Sequence, residues 1–162
     1  MTQPHLKAVA RFVRDLLDYD EQLIKFDRRN VQTSDFATSY IVINGSLPQS
    51  VMSRGQRFDG DAEVMTYSAS VSHAIVLEFY GDESYSNVEN FLMLSASQAA
   101  NELRRKHAIT IMAVSNIIDV GQLLGQSHGN RVNLSFNVQY APARDVQTLR
   151  IDTPQFQFLE DK

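Results

Sequence analysis

The sequence contains no cysteine and no tryptophan, only four prolines, and no long apolar run. Without cysteine the chain cannot form disulfides, thiolate metal sites or a cysteine nucleophile. No apolar stretch approaches the ~18 residues that a transmembrane helix needs, and no charged and then apolar leader opens the chain. A soluble, cytoplasmic protein is therefore the first expectation.

An excess of positive charge is also missing. Fifteen Lys and Arg are outnumbered by nineteen Asp and Glu, which leaves a formal net charge of −4. A protein whose whole surface gripped nucleic-acid phosphates would be basic, so bulk nucleic-acid binding is disfavoured. Hydrophobic residues make up 43% and charged residues 21% of the 162 residues, which is typical of one globular domain with a substantial core.

No pattern of residues indicates an active site. The four histidines, His5, His73, His107 and His128, form no HxH, HxxxH or HExxH spacing, so the sequence predicts no metal site. His73 would share a strand face with apolar residues, and we interpret it as a hydrogen-bonded core or interface histidine. No GxSxG elbow is present. The absence of catalytic patterns predicts no cofactor and favours a structural or interaction role.

The clearest structural signal is the alternation in RVNLSFNVQY, residues 131–140. In a strand, successive side chains point to opposite faces, so this segment has one apolar face and one polar face. The pattern is typical of an antiparallel sheet that is covered on one side only. The polar face is uncharged and consists of Asn133, Ser135, Asn137 and Gln139.

Other periodic segments predict the remaining elements. Helical spacing of apolar residues predicts a first helix over 4–19 and a second over 84–106. Runs of β-forming residues predict strands, with 63–80 as one long strand or a strand pair that could bulge at 68–70. The other predicted strands are 40–43, 109–114 and 146–151, and the predicted loops are 46–60 and 117–130.

The order of these elements predicts an α+β fold, with a mainly antiparallel sheet and two main helices packed on one face. Residues 1–152 are expected to form a single domain, and residues 153–162 a C-terminal tail that could order only on assembly. One helical turn is expected around Leu123 and Leu124. Met93, Leu94 and Ala100 lie off the main stripe of the second helix; core contact within the chain is the simpler interpretation, and a neighbouring subunit the alternative.

Taken together, several segments resemble the tail-terminator (neck) proteins of tailed bacteriophages. These are SYIVING (39–45), VLEFYGD (76–82), NVENFLMLSASQAANEL (87–103) and the block from 107 to 140. The most characteristic points are the FYG-helix junction, the loop near Asp119 and Leu123, and Arg131 at the start of the alternating strand. The resemblance covers roughly residues 5–152. The chain departs from the family where Val31 replaces a frequent proline and where Ala108-Ile109 replaces an aliphatic-glycine pair.

The resemblance implies a non-enzymatic virion protein, assembled in the host cytoplasm, that forms a ring of usually six copies at the head-proximal end of the tail tube. Such a ring ends tube polymerisation and provides the docking surface for the head connector. Its implied partners are copies of itself, the tail tube protein, the head–tail connector or adaptor protein, and genomic double-stranded DNA passing non-specifically, with no membrane. The alternatives are a head-completion or connector adaptor on the portal side and, from another class, a small α+β enzyme.

A closed ring built from one kind of contact needs two different patches on each subunit. The candidates for these patches are Met93 and Leu94, the loop 46–60 and the loop 117–130. The predicted subunit or partner interface residues are Met93, Leu94, Ala100, Leu123 and Leu124. The polar strand face of Asn133, Ser135, Asn137 and Gln139 is predicted to line the ring near DNA or to pack against the adjoining subunit. Uncharged polar groups suit both places, because they neither grip phosphate nor carry the desolvation cost of a buried ion.

Overall fold

The described part of the chain forms three α-helices and ten strands. A computed structural model describes residues 3–26, 39–45, 49–112, 114–124 and 127–149, and of residues 122–124 and 127–129 it describes the backbone only. The helices are α1 (Pro4–Leu17), α2 (Ser84–Ser95) and α3 (Gln98–His107). The strands are β1 (Ile24–Phe26), β2 (Tyr40–Asn44), β3 (Gln49–Asp59), β4 (Val64–Tyr80), β5 (Thr110–Met112), β6 (Ile118–Asp119), β7 (Gln122–Leu124), β8 (Ser127–Gly129), β9 (Arg131–Tyr140) and β10 (Ala143–Gln147).

Strand β4 is the centre of the main sheet. Its 17 residues span roughly 55 Å at the usual strand rise. The second half of β4 pairs with β2 on one edge and with β9 on the other, whereas the first half pairs with β3 and β10. All of these pairings are antiparallel, and β5 and β6 add to β9 in the same sense. Within the described sheet only β1 and β2 run parallel, so the predicted, mainly antiparallel α+β fold is confirmed.

The core lies between the helices and one face of the second half of β4 and its neighbours. The alternation predicted for β9 is confirmed, because Val132, Leu134, Phe136 and Val138 are all buried. At the centre of this layer, the ring of Phe91 on α2 lies 6.4 Å from that of Phe12, 6.4 Å from that of Phe79 and 6.0 Å from that of Phe136. Burying one such side chain contributes roughly 1.5–3 kcal/mol. The helices therefore cover one face of the sheet, as expected.

The single helix predicted over residues 84–106 is wrong at its middle. Helix α2 ends at Ser95, and α3 begins at Gln98 after Ser97, whose Oγ accepts a hydrogen bond of 3.2 Å from the amide of Ala100. The Arg104 guanidinium donates to the Ser95 carbonyl oxygen at 2.6 Å. Both contacts satisfy backbone groups that a helix end leaves open. The break redirects the chain so that Ala100 enters the core.

The turn from β4 into α2 depends on glycine. Gly81 has a φ of +91°, and a Cβ at this position would lie 2.7 Å from Cα of Ser39. The Gly81 amide also donates to the Asn130 carbonyl oxygen at 3.1 Å. A side chain here would be strained in conformation and would collide with backbone. This is the physical reason for the FYG-helix junction singled out in the sequence.

Two predicted loops contain strands. Residues 49–59, within the loop expected over 46–60, form β3 and pair with β4 along their length. The predicted helical turn around Leu123 and Leu124 is also wrong, because β7 pairs with β8 in a small two-stranded sheet. The register irregularity expected within β4 occurs in its partner, between Val51 and Ser53. The last strand begins at Ala143, earlier than predicted, and the tail 153–162 lies outside the described residues.

Candidate functional site

Three strands form a sheet extension that no described helix covers. We call it the arm, and it consists of β3, β10 and residues 64–70 of β4. Every residue of β3 and of β10 is exposed, and the β4 residues between them are exposed or half-buried. We call the remaining, helix-covered part of the fold the body. A sheet with both faces open to solvent has no core of its own, so its side chains are available for contacts with other molecules.

The face of the arm that continues the helix-covered face of the body is mostly apolar, and we call it the helix-side face. Directly paired residues point to the same side of a sheet, so the pairings place Phe58, Met65 and Val146 in one row across the three strands. The next row holds Gln56, Tyr67 and Arg144. Phe58 is 40%, Tyr67 49% and Val146 43% exposed. These are large apolar side chains in water.

The opposite face of the arm is polar. Arg57, Thr66 and Asp145 form a row on it, and the Thr66 hydroxyl donates to the Asp145 carboxylate at 2.6 Å. Gly55, Ser68 and Ala143 form the next row. The arm is therefore amphipathic, although both of its faces are exposed. An uncovered apolar face of this kind is typical of surfaces that contact other molecules.

Helix α2 presents a second exposed apolar surface, on the side away from the sheet. Met93 is 69% and Leu94 40% exposed, so both lie where a partner can reach them. Ala100 is 0% exposed in the core, because the break before α3 turns it inwards. The simpler interpretation, core contact within the chain, is therefore confirmed for Ala100 and wrong for Met93 and Leu94. The backbones of Leu123 and Leu124 lie in β7, and their side chains are outside the described part. The sequence named α2 and the segment 46–60 as candidate contact patches; the structure shows that this segment contains β3, a strand paired with β4, where a loop was expected.

The polar face of β9 lies on the side of the sheet away from the helices. Asn133, Ser135, Asn137 and Gln139 are half-buried there. Exposed apolar side chains adjoin them, since Met112 pairs with Asn137 and Ile118 with Asn133. The structure thus places an apolar rim beside the predicted face.

This face also holds a buried ion pair that the sequence did not reveal. Glu78 is 0% and Arg131 6% exposed, and their nearest oxygen and nitrogen lie 3.5 Å apart. The Tyr80 hydroxyl donates to the Glu78 carboxylate at 2.8 Å, and the Arg131 Nε donates to Asn133 at 3.2 Å. The register of β4 and β9 places Asn133, the residue that Arg131 contacts, directly opposite Glu78. No local sequence pattern encodes that register. The face is polar and electrically balanced.

A histidine pair joins α1 to the root of the arm. His5 Nε2 lies 2.7 Å from His73 Nδ1, and His73 Nε2 lies 3.1 Å from the Gly45 carbonyl oxygen. A carbonyl can only accept, so His73 Nε2 donates to it. In the tautomer with this proton alone, His73 Nδ1 accepts from His5 Nε2. Burial, together with the neighbouring His73, lowers the pKa of His5 below 6.5. His73 is 0% exposed, which confirms its interpretation as a hydrogen-bonded core histidine.

Asp15 ties α1 to α3. Its carboxylate accepts hydrogen bonds from Arg14 at 2.7 Å, Lys106 at 2.9 Å and His107 at 3.0 Å. Burial opposes ionisation of Asp15, but the hydrogen bonds from these three cationic or polar groups outweigh it and lower its pKa well below the ordinary value. The basic cluster at the end of α3 therefore has a structural role in the body.

The part of the chain that the structure describes contains neither a candidate metal site nor a candidate membrane-spanning helix. Among those residues no group of three or more His, Asp or Glu side chains could hold a metal ion. In the same residues no helix is both long enough and apolar enough to cross a membrane.

Comparison with known families places the chain. The family model described as phage neck terminator protein matches residues 4–162. No curated protein sequence matches closely enough to serve as a relative. The family match takes in α1, the arm, α2, α3 and β9, that is, both the body and the surfaces that project from it. The chain therefore belongs to the phage neck terminator protein family.

Proposed function

We propose that this structural neck protein forms a closed ring, of six copies, at the head-proximal end of the phage tail tube. The ring ends tube polymerisation, offers the docking surface for the head connector and lets double-stranded DNA pass through its centre. The observation that carries the proposal is the arm, with one apolar face exposed beyond the body. A second subunit that covered this face would remove large apolar side chains from water, which favours association.

Separate surfaces support a ring over a two-fold dimer. Most of the exposed large apolar side chains occur in three places: on the arm, on α2, and on the rim formed by β5 and β6. A contact between two different patches repeats from subunit to subunit and closes into a ring when the rotation allows it. The third surface remains free for the tube or the connector. This distribution suits a subunit with neighbours on both sides and partners above and below.

Charge supports the passage of DNA. Each chain carries a formal charge of −4, so six copies would carry −24. A ring with this balance would repel a polyanion at long range and would not hold it by its phosphates. The balanced face of β9 is our proposed lining of the channel or, because Met112 and Ile118 adjoin it, a contact with the adjoining subunit.

The first test is the mass of the purified protein, measured by light scattering over a range of concentrations, and its structure on purified tail tubes. We expect a hexamer in solution or on the tube. A chain that stays monomeric in solution and adds no ring to tubes would contradict the proposal. In phage that lack the gene, overlong tails or finished tails without heads are expected. Normal tails with leaking heads would indicate the portal-side adaptor instead.

The lining is tested by Ser135→Lys together with Asn137→Lys. Both residues are half-buried on the face in question. If the face lines the channel, two added cations per subunit would bind the phosphates of passing DNA and impair ejection. If the face packs against the adjoining subunit, the two lysines would disrupt that contact and impair ring assembly. Matched lysines on the outer face of α3, at Gln98 and Asn101, serve as the control because both residues are exposed. Unchanged assembly and ejection in the test variant would show that the face is merely solvated.

A further inference from the structure

We propose that the helix-side face of the arm of one subunit lies across the outer face of α2 of the next, so that a second copy of this chain covers the arm. This inference rests on the proposed ring and assigns its interface. In the body, helices cover one face of the sheet, and the same face continues into the arm without a cover. A helix of a neighbouring copy placed there would extend the helix layer along the whole of β4.

Helix α2 has the surface that such a position requires. Its inner side packs into the core through Val88 and Phe91, which are 0% exposed. Its outer side carries Glu89 and Met93, one helical turn apart, and both are exposed. Leu94 adds an apolar flank. A helix that is apolar towards its own sheet and partly apolar on the other side is suited to lie between two layers.

The charges of the two surfaces are opposite. On the helix-side face of the arm, the described charged residues are Arg54, opposite Ala69, and Arg144, opposite Tyr67. Helix α2 contains Glu89 as its single charged residue, and Asp82 and Glu83 precede it directly. Positive arm and negative helix would attract each other during encounter and would fix the register of the contact.

The spacing of these charges also agrees. Arg54 and Arg144 lie on the two outer strands of the arm and two residues apart along it, which separates their Cα atoms by about 12 Å at standard strand spacings. Glu83 and Glu89 are six residues apart, or about 9 Å along a helix axis. Long side chains easily bridge the difference. Tyr67 lies between the two arginines and faces the same way.

The arm cannot make this contact within its own chain. The core contacts of Phe91 place α2 over Phe79 and Phe136, and Phe136 pairs with Ile75. Tyr67 lies eight residues before Ile75 on β4, which is roughly 25 Å. The covering helix must therefore come from another copy. The contact uses different patches on the two partners, as a closed ring requires.

Cross-linking provides the direct test, because the chain has no native cysteine. Tyr67→Cys combined with Met93→Cys, treated with a short bis-maleimide, should give a ladder of covalent oligomers that ends at the ring. The matched control is Ser68→Cys with Met93→Cys, since Ser68 is exposed on the opposite face of the arm. The control should give little ladder. A ladder in the control alone, or in neither variant while rings form, would overturn the assignment.

Charge reversal provides the second test. Arg54→Glu with Arg144→Glu should raise the concentration needed for assembly roughly tenfold or more, because like charges would face each other. Glu83→Arg with Glu89→Arg should do the same, and mixing the two variants should restore assembly at the interfaces where the changed surfaces meet. Combining all four changes in one chain should restore the ring. Arg57→Glu with Glu102→Arg is the control, placed on the other arm face and on α3.

The outcomes separate this inference from the proposed function. If the unchanged protein formed rings neither in solution nor on tubes, the proposed function itself would be contradicted. Rings that form equally well in the unchanged, reversed and recombined variants would leave that function standing and overturn the arm–α2 contact. Reversed arms that still form rings but no longer bind tail tubes would show that the tube protein covers the arm, which also overturns it. Circular dichroism melts confirm that each variant is folded.

Discussion

The body and the arm share strand β4. Its backbone pairing continues through both regions, but the burial of its side chains does not. In both regions β4 pairs with a strand on each side. In the body its alternate side chains are buried under helices, whereas in the arm they are exposed or half-buried. Backbone pairing therefore continues where side-chain burial stops. The burial that stabilises this neck protein therefore lies in the body, whereas the side chains of the arm remain exposed to contacts with other molecules.

The largest expected effect comes from removing a phenylalanine in each region. Phe91→Ala in the body should cost about 3–5 kcal/mol of unfolding free energy, because a cavity remains among Phe12, Phe79 and Phe136. Phe58→Ala in the arm should cost less than about 1 kcal/mol, because the side chain is 40% exposed. Urea unfolding of the monomer measures both. Equal losses would break the distinction between body and arm.

A glycine pair gives the next largest contrast. Gly81→Ala, at the end of β4 in the body, should cost at least about 1–3 kcal/mol, because its φ of +91° is strained for alanine. Gly55→Ala in the arm has no such φ, and its Cβ would meet only the Ser68 hydroxyl, at 3.1 Å. It should change stability by about 0.5 kcal/mol or less. Thermal melts measure the stability of the two variants, and similar losses would contradict the distinction between body and arm.

Asp15 tests how far the stability of the body depends on the contact between α1 and α3. Asp15→Asn should cost about 1–3 kcal/mol, because Lys106 and Arg14 would lose a charged acceptor. The control is Glu21→Gln, which also loses a bond to Arg14 but is 76% exposed and should change little. The folded-state pKa of Asp15 is lowered, so its contribution is complete above the ordinary value of 3.8 and is lost as the pH falls below it. The stability of Asp15→Asn should therefore depend less steeply on pH in that acidic range.

The smallest effect is expected at the junction of body and arm. The folded-state pKa of His5 lies below 6.5, so as the pH falls through 6.5 the unfolded chain takes up a proton before the folded chain does. The contribution of His5 to the free energy of unfolding is thus complete above pH 6.5 and decreases below it. His5→Phe, which keeps a ring beside Tyr140, should flatten the decrease between pH 6.5 and the lowered pKa. An unchanged slope, measured by urea unfolding at several pH values, would contradict this assignment.

Prediction from the sequence succeeded where one face of an element is buried. The alternation of β9 and the stripe of α1 report burial directly, because apolar residues recur with the period of the element. It failed for β3, whose eleven residues are all exposed, because a strand without a buried face has no alternation to read. The α2–α3 break was also missed. Its capping serine resembles any other serine in a helical pattern, and the Arg104 bond to the Ser95 carbonyl exists only after the helices have turned.

For the candidate site the same division applies. The sequence by itself determined the helix-covered sheet and the polar face of β9, because each leaves a local period. It singled out Met93 and Leu94 as lying off such a period, but it did not decide between core contact and exposure. Only the tertiary structure decided that Ala100 is buried, that Glu78 meets Arg131 and that β3, β4 and β10 form an arm with one apolar face. Each of these depends on the register between strands or the angle between helices that are distant in the chain. Contacts of that kind have no local pattern, since the residues that make them are brought together only by folding.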